Sequence, residues 1–510
     1  MRKMISLMIT LCMFLLMLPL QMAAADSAED AAKGATDAVG LYDQAVALLE
    51  AEEYEDALLL LEEAAEQGIP EAITALGYLY SMGLGTEQNN EEMLKYYRMA
   101  AELGEPTALF NLGCCYRDGQ GVERNDEEMI RYFERAADKG NPNAQYNLGY
   151  CYTFGEGVEQ DYDKAFSLYQ QAAEQGFPPA MFALGDCYFL GNGVKKDTDT
   201  AVEWYRKALA AGYEPDETDF EHLKTCADDG NAEAQNELGK CYAQGVGAVQ
   251  DDQEAVRYFR MAADQGFAKS QFNLANSYLY GVGVEQDDEK AAEYMTLAAD
   301  QGLVQAQSML GYMYDDGFGV EADLEKAAEY YQAAADQGDA YAQSRLGNCY
   351  FYGRGVEKNI EKGVQYYQLA ADQGDPDALN SLGCCYCDGE GVEQDYEKGM
   401  QYLQLAAEQG NPDAIYNIGY NCYFGEGVKQ DYDTAMECFR TAAEMGQPNA
   451  MFMIGESCYE GKGSEKDPDQ AAAWYLKALR AGYVPDEQDQ KHLSDLFAEL
   501  YNLKLDFSAA

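Results

Sequence analysis

Fourteen cysteines are the residues of this 510-residue chain best able to form disulfides, bind metals or act as nucleophiles. Most occupy one slot, two residues after a recurring glycine, and Leu79 and Met313 fill the same slot elsewhere. The slot is therefore apolar, and we expect it to be buried. The cysteines concerned are Cys115, Cys151, Cys187, Cys241, Cys349 and Cys385, with Cys422 and Cys458 displaced by one residue.

Disulfides between these slots are not expected. Equivalent positions on neighbouring packed helices lie roughly 10 Å or more apart, whereas a disulfide requires Cα atoms about 4.4–6.8 Å apart. The number of cysteines after residue 25 is also odd, at 13. The sequence therefore predicts mostly free thiols.

Three other patterns could indicate a reactive site. The Cys-Cys-Tyr-Cys run at residues 384–387 could bind a soft metal, but its three thiols share one helical turn without a fourth ligand nearby. The two histidines, His222 and His492, lack a Cys, Asp or Ser constellation at catalytic spacing. Gly-x-Gly segments follow helices rather than strands, which favours chain reversal over phosphate binding. We therefore predict no catalytic residue, no metal site and no cofactor.

The composition is strongly acidic, because 90 Asp and Glu residues against 35 Lys and Arg residues give a net charge of −55. Such a charge disfavours nucleic acids and anionic membrane surfaces as partners. We expect no nucleic-acid partner, and we expect an electrostatic partner to be basic.

The N-terminus has the pattern of a secretory signal peptide. Arg2 and Lys3 precede an apolar stretch at residues 5–20, and small residues then allow cleavage after Ala25. The apolar stretch of 16 residues is shorter than the roughly 20 that a membrane anchor needs, which was the alternative. We predict a secreted or periplasmic protein whose mature chain has no membrane span.

A glycine, usually preceded by Leu and followed by Tyr, recurs along the chain at a fixed interval. All intervals but one are 36 residues, and the exception is 54 residues. Eleven copies at this spacing predict a solenoid rather than several globular domains. The positions are Gly77, Gly113, Gly149, Gly185, Gly239, Ala275, Gly311, Gly347, Gly383, Gly419 and Gly455.

Each copy reads as two helices. Ala144, Leu148 and Cys151 recur at i, i+4 and i+7, the spacing of one helix face, and define a first helix. Gly155 and Gly157 can adopt positive φ and so end this helix and reverse the chain. A second amphipathic helix follows. A hairpin with two apolar faces cannot bury both alone, so it must stack on its neighbours.

The residue before the second helix is Asp or Asn in all eleven copies. Its side-chain oxygen can accept hydrogen bonds from the free N–H groups at the helix start. Calcium binding is the alternative, but no D-x-D-x-D-G loop occurs. We therefore predict structural helix caps at Asn89, Asn125, Asp161, Asp197, Asp251, Asp287, Asp323, Asn359, Asp395, Asp431 and Asp467.

This unit, with Leu-Gly-x-x-Tyr, Gly-x-Gly-Val, an Asp cap, Tyr-Tyr and Ala-Ala-x-x-Gly, closely resembles the Sel-1-like repeat (SLR) family, a relative of tetratricopeptide repeats. The resemblance covers roughly residues 41–485 and implies an all-α, right-handed α/α superhelix of about eleven helix-turn-helix repeats. It also implies a binding scaffold or adaptor. Hydrolase activity of the β-lactamase type, attributed to cysteine-rich SLR relatives, is an alternative that lacks a nucleophile–base pair in this sequence.

The sequence pattern indicates an internal duplication. The two tryptophans, Trp204 and Trp474, are 270 residues apart, and so are the two histidines. We infer that a block with its own capping helix was copied. The predicted divisions are a signal peptide at 1–25, a flexible leader at 26–40, an N-terminal SLR block with a capping hairpin at 41–212, an extra helix or joint at 213–230, a C-terminal SLR block at 231–482 and a capping helix at 483–510.

The 41 tyrosines exceed what a core requires. Pairs such as Tyr330-Tyr331 fit the core, whereas tyrosines set among carboxylates on the first helices could form a concave groove for a basic or extended peptide. A merely solvated acidic face is the alternative. We predict an exported, non-enzymatic scaffold that binds a protein or peptide, with a quality-control adaptor of the secretory pathway as a second possibility.

Overall fold

The computed structural model describes residues 38–501, and every regular element in that range is an α-helix. The chain divides into two compact units, Met1–Leu223 and Lys224–Ala510, called unit 1 and unit 2 below. In each unit, consecutive helices pair into hairpins of about 36 residues that pack on the next hairpin along the chain. The predicted all-α repeat architecture is confirmed. The predicted signal peptide and its cleavage site after Ala25 lie outside the described residues.

Unit 1 begins with a shorter hairpin in which Glu52, at a φ of 61°, makes the turn instead of Gly-x-Gly. The first helix starts at Ala38, so the last three residues of the predicted leader are helical. The helices are α1 (Ala38–Glu50), α2 (Tyr54–Glu66), α3 (Pro70–Met82), α4 (Asn90–Glu102), α5 (Pro106–Asp118), α6 (Asp126–Asp138), α7 (Pro142–Phe154), α8 (Tyr162–Glu174), α9 (Pro178–Leu190), α10 (Thr198–Ala210) and α11 (Glu217–Asp228), which extends past the division at Leu223.

Unit 2 contains seven complete hairpins and a final capping helix. Its helices are α12 (Ala232–Gln244), α13 (Asp252–Asp264), α14 (Ala268–Tyr280), α15 (Asp288–Asp300), α16 (Val304–Asp316), α17 (Leu324–Ala335), α18 (Ala340–Tyr352), α19 (Ile360–Ala371), α20 (Pro376–Asp388), α21 (Tyr396–Glu408), α22 (Pro412–Phe424), α23 (Tyr432–Glu444), α24 (Pro448–Glu460), α25 (Pro468–Arg480) and α26 (Glu487–Tyr501).

Local sequence sets the ends of each helix, as α7 shows. The Asn141 side chain caps the helix start by accepting from the Ala144 N–H, and Pro142 follows where its missing N–H costs nothing. At the other end Gly155 adopts a φ of 71°, and its N–H bonds to the Cys151 carbonyl. Only glycine takes this left-handed conformation without steric cost, so the helix stops there.

The recurring glycine of each first helix is the point where the second helix packs most closely. A Cβ added at Gly113 would lie 2.5 Å from the ring of Phe133, and one added at Gly149 would lie 2.8 Å from the ring of Tyr169. Glycine is therefore required to seat the aromatic side chain. The facing aromatic residue lies twenty positions after the glycine. In the one repeat that has an alanine instead of the glycine, Ala275, the facing residue is the flexible, unbranched Met295, which leaves room for the methyl group.

The core combines small alanines from both helices of each hairpin with leucines from the first helices and aromatic rings, such as that of Phe133, from the second helices. Alanines such as Ala172 are completely buried, and Leu112 and Leu148 are at most 4% exposed. Small alanines allow close helix approach, so every hairpin buries both of its apolar faces. Within residues 38–501, no helix combines the length and the apolar character needed to cross a bilayer.

Candidate functional site

All eleven predicted cap residues lie at the N-cap positions of second helices. Asp161, for example, accepts a hydrogen bond of 3.1 Å from the backbone N–H of Lys164. The same arrangement occurs at Asn89, Asn125, Asp197, Asp251, Asp287, Asp323, Asn359, Asp395, Asp431 and Asp467. Their oxygens thus serve their own helix. No cluster of three or more His, Cys, Asp or Glu side chains suited to a metal is found in the described part of the chain.

The cysteines do not form a reactive centre in the described structure. The 13 cysteines between residues 38 and 501 are free thiols, and those in the recurrent slot are buried. Burial raises the pKa of Cys115, Cys151 and Cys187 to about 12, so these thiols are protonated at neutral pH. A protonated thiol is a poor nucleophile and a poor metal ligand.

The two histidines hold the capping helices on the preceding repeats. His222 Nδ1 lies 2.8 Å from Asp186 Oδ1 in unit 1. In unit 2, His492 Nε2 lies 3.3 Å from the hydroxyl of Tyr475, which donates to Glu456 at 2.6 Å. Both histidines therefore contact a carboxylate–tyrosine pair at a helix junction, which is a structural arrangement.

Apart from buried core rings such as that of Tyr169, two sets of aromatic positions bear on a binding surface. Most tyrosines three positions after the recurring glycine stack on a tyrosine of the second helix, as Tyr350 does on Tyr366 with a centroid distance of 5.8 Å. A lysine completes several of these pairs, and Lys362 Nζ lies 3.8 Å from the Tyr350 ring centroid. These rings and lysines are thus occupied within their own repeat.

The second set lies at the last position of the first helices, five residues after the glycine. We call these residues the terminal row. In unit 2 an aromatic ring alternates with a polar or acidic side chain from repeat to repeat, and every member is exposed. The row reads Gln244, Tyr280, Asp316, Tyr352, Asp388, Phe424 and Glu460 in unit 2, and Met82, Asp118, Phe154 and Leu190 in unit 1.

The aromatic rings of this row are largely exposed, and two of them pack on a neighbouring ring of the same helix. Tyr280, Tyr352 and Phe154 are 67%, 63% and 61% exposed. Phe424 packs on Tyr420, one helical turn earlier, with ring centroids 4.5 Å apart, and Phe154 packs on Tyr150 at the same distance. Exposed aromatic rings of this kind are typical of protein-binding surfaces.

The terminal row of unit 2 has a negative electrostatic character. Its carboxylates, Asp316, Asp388 and Glu460, lie at helix C-termini, where the unpaired carbonyls carry partial negative charge as well. The row therefore favours a cationic ligand.

One cavity of about 180 Å³ opens beside this row in unit 2, between α20 and α22. Asp388 and Glu426 supply carboxylates to its wall, and Cys384, Asn417 and Tyr420 supply a thiol, an amide and an aromatic ring. The thiols are neutral, because burial raises the pKa of Cys384 to about 12. No lysine or arginine lines the cavity.

Sequence reasoning placed tyrosines and carboxylates on the first helices but identified neither the terminal row nor the cavity. The available signal for the row was the identity of the residue before the first Gly of each Gly-x-Gly, which alternates in unit 2. The metal hypothesis for residues 384–387 is not supported, because Cys385 is buried in the core while Cys384 and Cys387 line the cavity.

Comparison with known proteins gives matches to the Sel1 repeat model at residues 52–69, 70–105, 106–141, 142–177, 178–213, 232–267, 268–303, 304–339, 340–375, 376–411, 412–447 and 448–483. The model thus matches twelve segments, one more than the eleven predicted copies. The additional match is the short one at 52–69, which covers α2. The search of curated proteins gives no match.

The solved structures with similar sequences include two repeat proteins. The protective antigen c5321 of uropathogenic Escherichia coli, which displays an SLR fold, is 32% identical over 89% of this chain and 98% of its own, with a TM-score of 0.48. A Sel1 repeat protein from Oxalobacter formigenes is 30% identical over 44% of this chain and 90% of its own, with a TM-score of 0.41. Repeats of this type are typical of protein-interaction scaffolds. The chain belongs to the Sel1 repeat family.

Proposed function

We propose that this protein is an exported, non-enzymatic scaffold that binds a basic segment of a partner protein along its terminal row. The observation that carries this proposal is the alternation of exposed rings and polar or acidic side chains from Gln244 to Glu460. Successive first helices present one row member each, so the row offers repeated contacts to an extended chain. Lysine and arginine side chains satisfy both elements of the row, since they pair with carboxylates and pack on ring faces.

Charge supports a basic partner. The net charge of −55 leaves few cations for internal neutralisation, and several lysines, such as Lys398, already lie over tyrosines of the first set. Long-range attraction then speeds association with a basic segment and weakens as salt is added.

The chemistry of the remaining candidate groups supports a non-enzymatic role. The slot thiols are buried and protonated, and the histidines contact carboxylates at helix junctions. Neither arrangement supplies the activated nucleophile that a covalent hydrolase needs.

Export remains part of the proposal and rests on residues 1–25. N-terminal sequencing of the protein recovered from its native host tests it directly. A mature chain that begins at Asp26 supports export with cleavage after Ala25, whereas a cytosolic chain that retains Met1 contradicts it.

The binding proposal is tested by titrating the full chain with hexa-lysine in a calorimeter at low and high salt. We expect the double variant Tyr352→Ala/Phe424→Ala to weaken binding about tenfold, or about 1.4 kcal/mol. The matched control is Leu369→Ala/Leu405→Ala, which truncates two exposed apolar residues on second helices of the same unit. Absence of binding to the unmodified chain, or equal losses in both variants, contradicts the proposal.

A further inference from the structure

The internal duplication places two equivalent sites 270 residues apart, and only one of them contains an arginine. In unit 1, Arg117 Nε and Nη2 donate to the two carboxylate oxygens of Asp118 at 2.9 and 3.0 Å. Its Nη1 donates to Asn147 Oδ1 on the next first helix at 3.1 Å. The guanidinium thus bridges two neighbouring repeats and uses a carboxylate and an amide oxygen as acceptors.

In unit 2 the acceptors are conserved in type, but the arginine is replaced. Asp388 and Asn417 stand where Asp118 and Asn147 stand in unit 1, and Cys387 stands in place of Arg117. The walls also correspond, since Cys114, Tyr150 and Glu156 are matched in type by Cys384, Tyr420 and Glu426. The cavity of about 180 Å³ lies among these residues of unit 2.

The acceptors of this cavity have no protein donor in the described structure. Asn417 donates through Nδ2 to Asn380 Oδ1 at 2.9 Å and to Cys384 Sγ at 3.2 Å. Asn421, which is 6% exposed, donates through Nδ2 to Met400 Sδ at 3.3 Å. Among residues 38–501, neither amide oxygen accepts a hydrogen bond, and neither Asp388 nor Glu426 forms an ion pair.

We infer that this cavity, here called the arginine pocket, receives the guanidinium of an arginine from the partner. The inference rests on the proposed function, because the partner segment on the terminal row supplies the arginine. A planar guanidinium has five N–H donors, which suit two carboxylates and two amide oxygens better than the three donors of an ammonium. The Tyr420 ring, packed on Phe424, offers a surface on which the guanidinium can stack.

The experiment compares hexa-arginine with hexa-lysine, which carries the same charge, by calorimetric titration of the full chain. We expect hexa-arginine to bind about tenfold more tightly. Cys387→Arg supplies the missing side chain internally, so it should abolish this preference while hexa-lysine still binds. The control Gln401→Arg adds the same charge at an exposed position of the second helix in the same repeat and should keep the preference.

A second variant covers the case in which Cys387→Arg does not fold, as checked by circular dichroism. Asp388→Asn is isosteric at an exposed position and should reduce the preference for hexa-arginine about fivefold, whereas Glu397→Gln on the adjacent second helix should not. Equal affinity of the unmodified chain for both peptides overturns the arginine pocket but leaves the proposed function standing. Failure of both peptides to bind overturns the proposed function and the pocket together.

Discussion

Residues 106–177 of unit 1 and residues 376–447 of unit 2 are pairs of repeats at equivalent positions, 270 residues apart, yet their equivalent carboxylates have different partners. In unit 1, Arg117 neutralises Asp118 and joins it to the next repeat. In unit 2, Cys387 leaves Asp388 without an ion pair and beside a cavity. A difference at one position, Arg117 or Cys387, thus separates a carboxylate paired within the protein from a carboxylate that lies beside a cavity.

The largest loss of stability is expected at the contact between the recurring glycine of a first helix and the aromatic ring of the second helix, which unit 2 replaces once by an alanine and a methionine. Gly113→Ala places a methyl group 2.5 Å from the Phe133 ring, and we expect a loss of about 2–3 kcal/mol in the free energy of unfolding, measured with urea. Unit 2 contains a natural alanine at the equivalent position, where Ala275 faces Met295. Phe133→Met should therefore restore at least half of the lost stability in the double variant. A Gly113→Ala protein of unchanged stability contradicts this packing account.

A smaller effect is expected when the arginine of unit 1 is removed. Arg117→Ala deprives Asp118 and Asn147 of a charged donor, so we expect a loss of about 1–2 kcal/mol. The same variant should open an equivalent of the arginine pocket in unit 1 and increase the number of hexa-arginine molecules bound per chain. The control Arg131→Ala removes an exposed arginine of the second helix that pairs with Glu128 and should change neither quantity. An unchanged stoichiometry for Arg117→Ala would mean that the two sites are not equivalent.

The smallest effect concerns the two capping helices. The hydrogen bond to Asp186 raises the pKa of His222, and Asp219 and Asp216 act in the same direction, whereas burial opposes the shift. A raised pKa means that the stabilisation is present below about pH 6.5 and is lost as the pH rises through the higher value of the folded state. His222→Gln should therefore lower stability at pH 5.5 by less than about 1 kcal/mol, and by less again at pH 8.5.

The equivalent substitution in the capping helix of unit 2 is His492→Gln. His492 Nε2 lies 3.6 Å from Glu456 Oε1, compared with 2.8 Å between His222 and Asp186. Because the longer distance weakens the contact, we expect His492→Gln to lower the free energy of unfolding in urea at pH 5.5 by less than His222→Gln does. A larger loss for His492→Gln than for His222→Gln would contradict this comparison of the two contacts.

The sequence predicts the fold well because each repeat contains the residues that determine its own helix ends and helix packing. Gly155, Asp161 and the recurring glycine fix the helix ends and the helix crossing through short-range physics, and their repetition makes the pattern visible. The buried cysteine slot is predictable for the same reason, since Leu79 and Met313 fill equivalent positions.

The binding face is less predictable because it depends on contacts between repeats. The role of Arg117 requires its distance to Asn147, thirty residues away, and the cavity beside Cys387 requires the packing of α20 on α22. Likewise, only the structure separates Tyr350, which stacks on Tyr366, from the exposed Tyr352 two residues later.

The terminal row as the binding surface is tested most directly by photo-crosslinking the full chain to hexa-lysine that carries a benzophenone group, followed by peptide mapping. If the peptide lies along the terminal row, adducts form at the ends of the first helices of unit 2, at residues 276–280, 348–352 and 420–424. Adducts that concentrate instead on the second helices, such as Ile360–Ala371, would contradict it.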